Sequence, residues 1–296
     1  MLGLYRLPDV NLLTPMNKAV RALMVARGVD SRHITVNGFD VHRYRLSGVG
    51  SGPPVVLLHG LGSSANAFSR VLFELQKSFR SVWALDLPGN GFSPLPLTGP
   101  APIETYVRLL LTFLEQQVRE PVFLIGNSLG GAMSMFAASE VPQAVRALAL
   151  VSPAGAKVNP QRIADLKASL NVVSTKEARQ LTRRLFHKVP LPLELFAGQL
   201  KVLYGSPAVR GVLREDLDQD HVPPERLEKL SMPTLLVWGK SEKLLPYESI
   251  DYFRANLPKH AEIHEVARFG HVPQMERPAE LVELLLSFAR RHALVA

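Results

Sequence analysis

Five short runs in this chain are apolar almost throughout: VVLLHG from Val55, SVWALDL from Ser81, VFLIGN from Val122, ALALVSP from Ala147 and TLLVWG from Thr234. Runs of that length without polar alternation predict strands buried on both faces of a parallel sheet. Ahead of them, HITVNGFDVHRYRL alternates apolar and polar positions on either side of Asn37-Gly38, which predicts a hairpin closed by a two-residue turn. Helical spacing of apolar residues marks 65–79, 103–118, 128–140 and 278–292. Strand and helix in alternation predict an open α/β sheet, with ligands bound beyond the carboxyl ends of the strands.

One stretch breaks the alternation. From 157 to 230 the pattern is helical, interrupted by VPLPLELF and HVPPERL, with no run resembling a buried strand. A loop of that length without structure does not suit a compact domain, so the expectation is a helical cap leaving the sheet after the sixth strand. The organisation read from the sequence is therefore a helical segment over 1–30, a core over 31–156 and 231–296, and a cap over 157–230. Within the first segment Met16, Ala19, Val20, Leu23 and Met24 recur at helical spacing with Lys18 and Arg21 between them. That pattern fits a helix packed on the core, or a basic amphipathic helix at a membrane surface.

Composition changes this picture little. Of 296 residues, 47% are hydrophobic and 20% charged, as in ordinary globular chains. The absence of cysteine excludes disulfides, a thiolate nucleophile and Cys-bearing zinc sites. The formal charge of +8 is spread along the chain, and its densest spot is Arg183, Arg184 and Lys188. It is read as solubility and not as a nucleic-acid footprint. The N-terminus carries no bilayer-spanning run and no signal-peptide pattern, so a cytoplasmic protein is expected, membrane contact through the N-terminal helix or the cap being the alternative.

The chemistry concentrates in VFLIGNSLGGAMSMF. Gly126-Asn127-Ser128-Leu129-Gly130 is a G-x-S-x-G motif between an apolar strand and a helical pattern, the setting in which a sharp turn lifts a serine hydroxyl above the sheet. Ser128 could instead simply cap the helix. As a nucleophile it needs a base, and His271 stands in a Gly-preceded loop, FGHVPQMERP, after a strand-like run and before the last helical pattern. His33 and His42 lie in the hairpin, His187 and His221 in the cap, and His264 on a strand face. HGLGSS supplies glycines for a tight turn, so the backbone amides of Leu61 and Leu129 are the expected oxyanion-hole donors, with His59 orienting the loop. Glu242, between Lys240 and Lys243 in TLLVWGKSEKLLP, reads by itself as a solvated loop acid.

HGLG, DLPGNGFS, GNSLGG, WGKSEKLLP and FGHVPQMERP follow the order and spacing of the α/β-hydrolase superfamily, which the chain resembles from about His33 onward. Within it the chain is similar to capped bacterial esterases and lipases and to monoacylglycerol lipase-like proteins. The resemblance implies ester hydrolysis through an acyl-enzyme with neither metal nor organic cofactor, and the Leu, Val and Phe of the cap favour a small-molecule ester with an apolar acyl group, moderately long or aromatic. It also places Glu242 where the family usually has the aspartate that orients the histidine. Asp86 resembles a structural loop acid, and Glu248 and Asp251 fall in the following helical pattern. Carbon-carbon hydrolases of ring-cleavage products share the serine triad, but commonly carry Gly-Pro-Gly in the oxyanion loop and Trp after the histidine, where this chain has Leu61-Gly62-Ser63 and Val272. A ligand-binding protein of the same fold is the non-enzymatic alternative.

Overall fold

The computed structural model describes residues 13–97, 99, 101–214 and 221–296. Helix α1 (Leu13–Ala26) leads into β1 (Asp30–Val36) and β2 (Phe39–Ser47). Asn37 and Gly38 both have positive φ, 48° and 79°, so the hairpin closes in the twist that two-residue turns favour. Then follow β3 (Val55–Leu58), α2 (Ser69–Leu75), β4 (Ser81–Leu85), α3 (Ile103–Phe113), β5 (Val122–Asn127), α4 (Leu129–Glu140) and β6 (Val145–Val151). The pattern over 103–118 does not stay α-helical to its end. It finishes in a π-helical turn, Leu114–Val118, stopped by Arg119 in the left-handed region at φ 64°.

The sheet has eight strands in the order β1-β2-β4-β3-β5-β6, continued by β7 (Thr234–Gly239) and β8 (Glu262–Val266). The pairings β1–β2 and β2–β4 are antiparallel and the rest parallel. The chain moves outward from β3 to β4 and then returns to the other side of β3 to lay down β5. The order therefore reverses between β3 and β5, and the loops after these two strands splay apart to leave a crevice. His59-Gly60-Leu61 and Ser128 occupy those two loops.

Strand alternation sorts the core into two layers. Val56, Leu58, Trp83, Leu85, Leu124, Leu148, Leu150, Leu236 and Trp238 pack on one face against residues of α3 and α4 and of α11 (Glu248–Asn256). Val55, Leu57, Val82, Ala84, Phe123, Ile125, Leu235 and Val237 face the other way, toward α2, Met24 of α1, and α13 (Pro278–Arg291). Helix α4 is buried nearly all round, as expected of small residues in a helix wedged between sheet and overlying elements.

The helical cap enters after β6. It contains α5 (Pro160–Leu170), α6 (Thr175–Leu185), α7 (Leu191–Phe196), α8 (Leu200–Tyr204) and α9 (Pro207–Arg214). Ser174 and Glu177 form a reciprocal capping box at the start of α6. Leu170, Val172, Leu181, Leu185, Phe186, Tyr204 and Val209 make a separate small core, which reaches Leu244 and Val272 of the main body. At the base of this excursion the Val222 N–H donates to the Gly155 carbonyl at 2.8 Å. Helix α10 (Pro224–Leu227) then packs on α4 and the chain returns to β7. No helix among the described residues is long and apolar enough to cross a membrane.

Candidate active site

Ser128 sits between β5 and α4 with φ 55° and ψ −119°, a conformation that costs a non-glycine residue on the order of 1–3 kcal/mol. The surroundings hold it there. Its N–H donates to the Val151 carbonyl at 3.2 Å, and its carbonyl accepts from Gly131, Ala132 and Ala154 at 2.9, 3.1 and 3.0 Å. A Cβ on Gly126 would come within 2.3 Å of the Gly130 carbonyl oxygen, so only glycine allows strand and helix to meet this closely. Gly60 is constrained as well, though less tightly, since a Cβ there would lie 2.9 Å from that of Ser128.

His271, in the loop between β8 and α12 (Pro273–Glu276), is buried. Its Nδ1 lies 2.8 Å from Oε2 of Glu242, whose side chain is only 2% exposed. The other carboxylate oxygen, Oε1, accepts the N–H groups of Leu244 and Leu245 at 2.7 and 3.1 Å. Burial pushes the Glu242 carboxyl up, but the His271 charge and ring N–H together with the two amides outweigh it, and the pKa lies below the ordinary glutamate value. Lys240 is exposed while the acid between the lysines turns inward. The loop bends so that Glu242 serves the main chain two and three residues ahead, and the solvated reading of this acid does not describe its position.

Neighbouring groups fix the histidine loop from three sides. Asn127, beside Ser128, donates from Nδ2 to the carbonyls of His271 at 3.0 Å and Val151 at 2.9 Å, and its Oδ1 accepts from Gln274 at 2.9 Å. The His271 N–H donates to the Leu185 carbonyl of the cap at 2.9 Å. Glu276 accepts main-chain N–H groups from Gly270 at 3.1 Å, His187 at 3.1 Å and Lys188 at 2.8 Å, so one carboxylate joins this loop to the cap. These contacts link residues up to 147 positions apart, and no local pattern marks them. The only hint of Glu276 is an acid at the end of a helix that begins with proline.

His59 is fully buried beside the crevice. The Leu87 N–H donates to its Nε2 at 3.0 Å, so Nδ1 carries the proton given to the Gly60 carbonyl at 2.7 Å. Burial lowers its pKa, against the opposing pull of Asp86, and the neutral ring suits both bonds. With the Gly60 carbonyl held this way, and the Leu61 carbonyl bound by the Tyr204 hydroxyl at 3.2 Å, the turn is locked from both sides. Leu129 opens α4, where the first N–H groups have no acceptor inside the helix.

Asp86 and His42 form a second buried pair, Oδ2 to Nδ1 at 2.7 Å. The other ring nitrogen of His42 accepts from the Ser31 hydroxyl at 2.8 Å, and Arg21 of α1 donates to Ser31 at 2.8 Å. Asp86 also takes the N–H groups of Ala65 at 2.7 Å and Phe92 at 3.0 Å. The loop acid is structural in position, as its sequence context suggests.

Ser128, Leu129, Gly60, Leu61 and His271 all line a cavity of about 560 Å³. Cap residues Leu170, Leu185, Phe186, Leu200 and Leu203 form part of its wall. So do Leu13, Thr14, Met16, Asn17 and Val20 of α1, a contribution the sequence pattern does not announce. Arg70 is the only Lys, Arg, Asp or Glu among the described lining residues. A smaller chamber of about 90 Å³ shares Leu129, Ala154, Leu166, Val212 and Leu245 with it, and adds Tyr106, His221 and Ser249.

A family model for the alpha/beta hydrolase fold matches residues 53–278. Lipase 1 of Psychrobacter immobilis is 23% identical over 297 residues, covering 97% of this chain and 93% of the lipase. The 2-hydroxy-6-oxo-2,4-heptadienoate hydrolase of Pseudomonas putida is 26% identical, with 93% of this chain and 98% of that protein covered. Among solved structures, a membrane phospholipase A superposes with a TM-score of 0.82 at 26% identity, over 95% of this chain and 92% of the other.

Proposed function

The chain belongs to the α/β-hydrolase family, and on that premise we propose that it is a serine hydrolase of carboxylic esters with an apolar acyl group. The observation that carries the reading is the shared cavity. Ser128, on its strained turn, opens into the same apolar chamber as His271, whose Nδ1 is committed to a buried carboxylate.

In this mechanism the Nδ1–H of His271 is held by Glu242, leaving Nε2 as the base. It takes the Ser128 proton as Oγ bonds to the ester carbonyl carbon. The amides of Leu61 and Leu129 hold the resulting oxyanion, each worth about 2.7–4 kcal/mol of transition-state stabilisation. The imidazolium then protonates the departing alcohol as the C–O bond breaks. Water attacks the acyl-enzyme, giving its proton to Nε2, and that proton returns to Ser128 as the carboxylic acid leaves. Glu242, already ionised, stabilises the imidazolium in both halves of the cycle. The residues 157–230 act in this reading as the cap that shapes the acyl pocket, and the smaller chamber receives the smaller half of the ester.

Cleavage of a carbon-carbon bond is the second reading, supported by the similarity to the heptadienoate hydrolase. The substrate that protein is named for carries a carboxylate, and here the cavity offers it only Arg70, which is exposed. The ester reading is therefore preferred. Labelling with a fluorophosphonate and turnover of a nitrophenyl ester panel test it, with Ser128→Ala as control. Equal hydrolysis by wild type and Ser128→Ala removes the serine mechanism.

A further inference from the structure

The mouth of the large cavity is bordered by apolar side chains that remain in solvent. Met16 of α1, Phe196 of α7 and Met275 of α12 all line the cavity and are 38%, 39% and 37% exposed. The two longer contributors also expose leucines outside the cavity lining. On α7, Leu191 and Leu195 lie one turn apart and are 76% and 74% exposed. On α1, Leu23 stands two turns after Met16 on the same face, with cavity-lining Val20 between them, and is 67% exposed. Three elements far apart in sequence thus bring Met16, Phe196 and Met275 to one opening, and two of them carry further exposed leucines. Scattered apolar residues need no explanation, but a group collected around a cavity mouth does.

Charge indicates what covers it. No Asp or Glu is among the described residues lining the cavity, and Arg70, its one cation, is exposed. Lys188 is exposed, and its main-chain N–H bonds the carboxylate of Glu276, the residue after Met275. Glu276 spends its oxygens on three amides, and Glu194 of α7 is paired with Arg183 at 3.0 Å. The chain as a whole carries +8. An apolar rim with cations at its margin matches the boundary between acyl chains and anionic headgroups. A protein partner on this face would close the cavity, whereas a lipid leaflet would feed it.

We propose that this face, formed by α1, α7 and α12, docks on an anionic phospholipid leaflet with the cavity mouth against the lipid, so that a long-chain ester passes from bilayer to Ser128 without crossing water. The proposal rests on the ester hydrolase reading only for the destination of the lipid. Docking itself is independent of catalysis.

The test uses the full chain and vesicles of phosphatidylcholine alone or mixed with phosphatidylglycerol. Sedimentation should carry the wild type down with the mixed vesicles and less with phosphatidylcholine alone. A Leu191→Glu/Leu195→Glu double variant, and separately Leu23→Glu, should lower binding by about tenfold or more, because each replaces exposed leucine that docking would bury in the acyl chains with a charge. None of these three leucines lines the cavity, so turnover of a short soluble ester should stay at the wild-type rate, while turnover of a vesicle-borne monoacyl ester falls with binding. Leu191→Ser/Leu195→Ser is the milder pair should the glutamates impair folding, judged by thermal melting. Wild type that stays in the supernatant, or variants that bind and turn over vesicle substrate like the wild type, overturn the proposal. So does a wild-type dimer in light scattering that the variants dissociate without any change in vesicle binding, since a second copy then covers the face. Vesicle binding with no soluble-ester turnover leaves docking intact and defeats the ester reading instead.

Discussion

Oε2 of Glu242 lies 2.8 Å from Nδ1 of His271, while Oε1 of the same carboxylate is taken by the main-chain amides of Leu244 and Leu245. One side chain therefore joins the histidine to the loop that follows β7, and each oxygen has a distinct task. Glu242→Gln puts an amide where both neighbours require an acceptor. We expect kcat to fall by about 10²–10⁴ with the fold retained, since a wrongly held histidine tautomer costs up to about 10⁴ in comparable triads. Glu242→Asp, a methylene shorter, should recover part of that loss. Steady-state kinetics with a soluble ester checks both, and a near-wild-type Glu242→Gln would remove the residue from the mechanism.

Ser31, His42 and Asp86 reproduce the contact pattern of a hydrolytic triad at 2.8 and 2.7 Å, yet Ser31 lies on strand β1 and does not line the large cavity. Fluorophosphonate should modify Ser128 and leave Ser31 unmodified, as peptide mapping by mass spectrometry will read. Ser31→Ala should hydrolyse esters within about twofold of wild type, because it contributes no group to the site. His42→Ala, which strands the buried Asp86, should instead cost about 3–5 kcal/mol in urea denaturation. Label on Ser31 would overturn this assignment.

Glu276 is expected to act on catalysis through position. Glu276→Ala leaves the amides of Gly270, His187 and Lys188 without their acceptor and releases the residue preceding His271. The expected result is a fall of roughly tenfold in kcat with KM changed little, and partial recovery in Glu276→Gln, which keeps one oxygen. A purely structural role would lower the melting temperature and leave the kinetics of the folded enzyme unchanged.

Acid stability offers a check remote from the site. Glu262 of β8 accepts from Arg291 at 3.2 Å, His292 at 2.9 Å and His264 at 3.3 Å. Burial would raise this carboxyl, but the three partners bring it from 4.5 down to about 2. A carboxylate depressed on folding contributes stability that is fully present above its unfolded pKa and is lost as pH falls through the folded one. The melting-temperature gap between wild type and Glu262→Gln should therefore be present near pH 5 and close between pH 4.5 and 2. A gap unchanged across that window would show that the carboxylate charge contributes nothing.

Much of the fold was legible because its signals are local. Asn37-Gly38 carries its own turn geometry, apolar runs of strand length have one home in an α/β sheet, and the fold class holds from the antiparallel edge to the cap after β6. The G-x-S-x-G motif is legible for the same reason, since Gly126 answers a contact with Gly130 made within one turn. Glu242 was harder to read because charge pattern and position disagree, and flanking lysines carry no information about which way a loop acid turns. The π-helical turn over Leu114–Val118 is hidden for a different reason, as its apolar spacing is nearly that of an α-helix. Least legible were the walls and braces: α1 against the cavity, Asn127 on Gln274, and Tyr204 on Leu61 are pairings created by tertiary packing alone.

The hydrogen bond from Val222 to Gly155 means that the cap begins and ends at a single point on the core. Its helices form a closed excursion, and their length or sequence can change without stretching β6 away from β7. Ser128, His271 and Glu242 all belong to the core side of that junction, whereas much of the chamber wall belongs to the cap side. In the ester reading proposed above, the groups assigned to bond breaking lie on the core side and much of the wall that would meet the acyl chain lies on the cap side. A cap grafted between Gly155 and Val222 should carry its own substrate range with it when it keeps the main-chain groups that Leu185, His187 and Lys188 offer to the histidine loop.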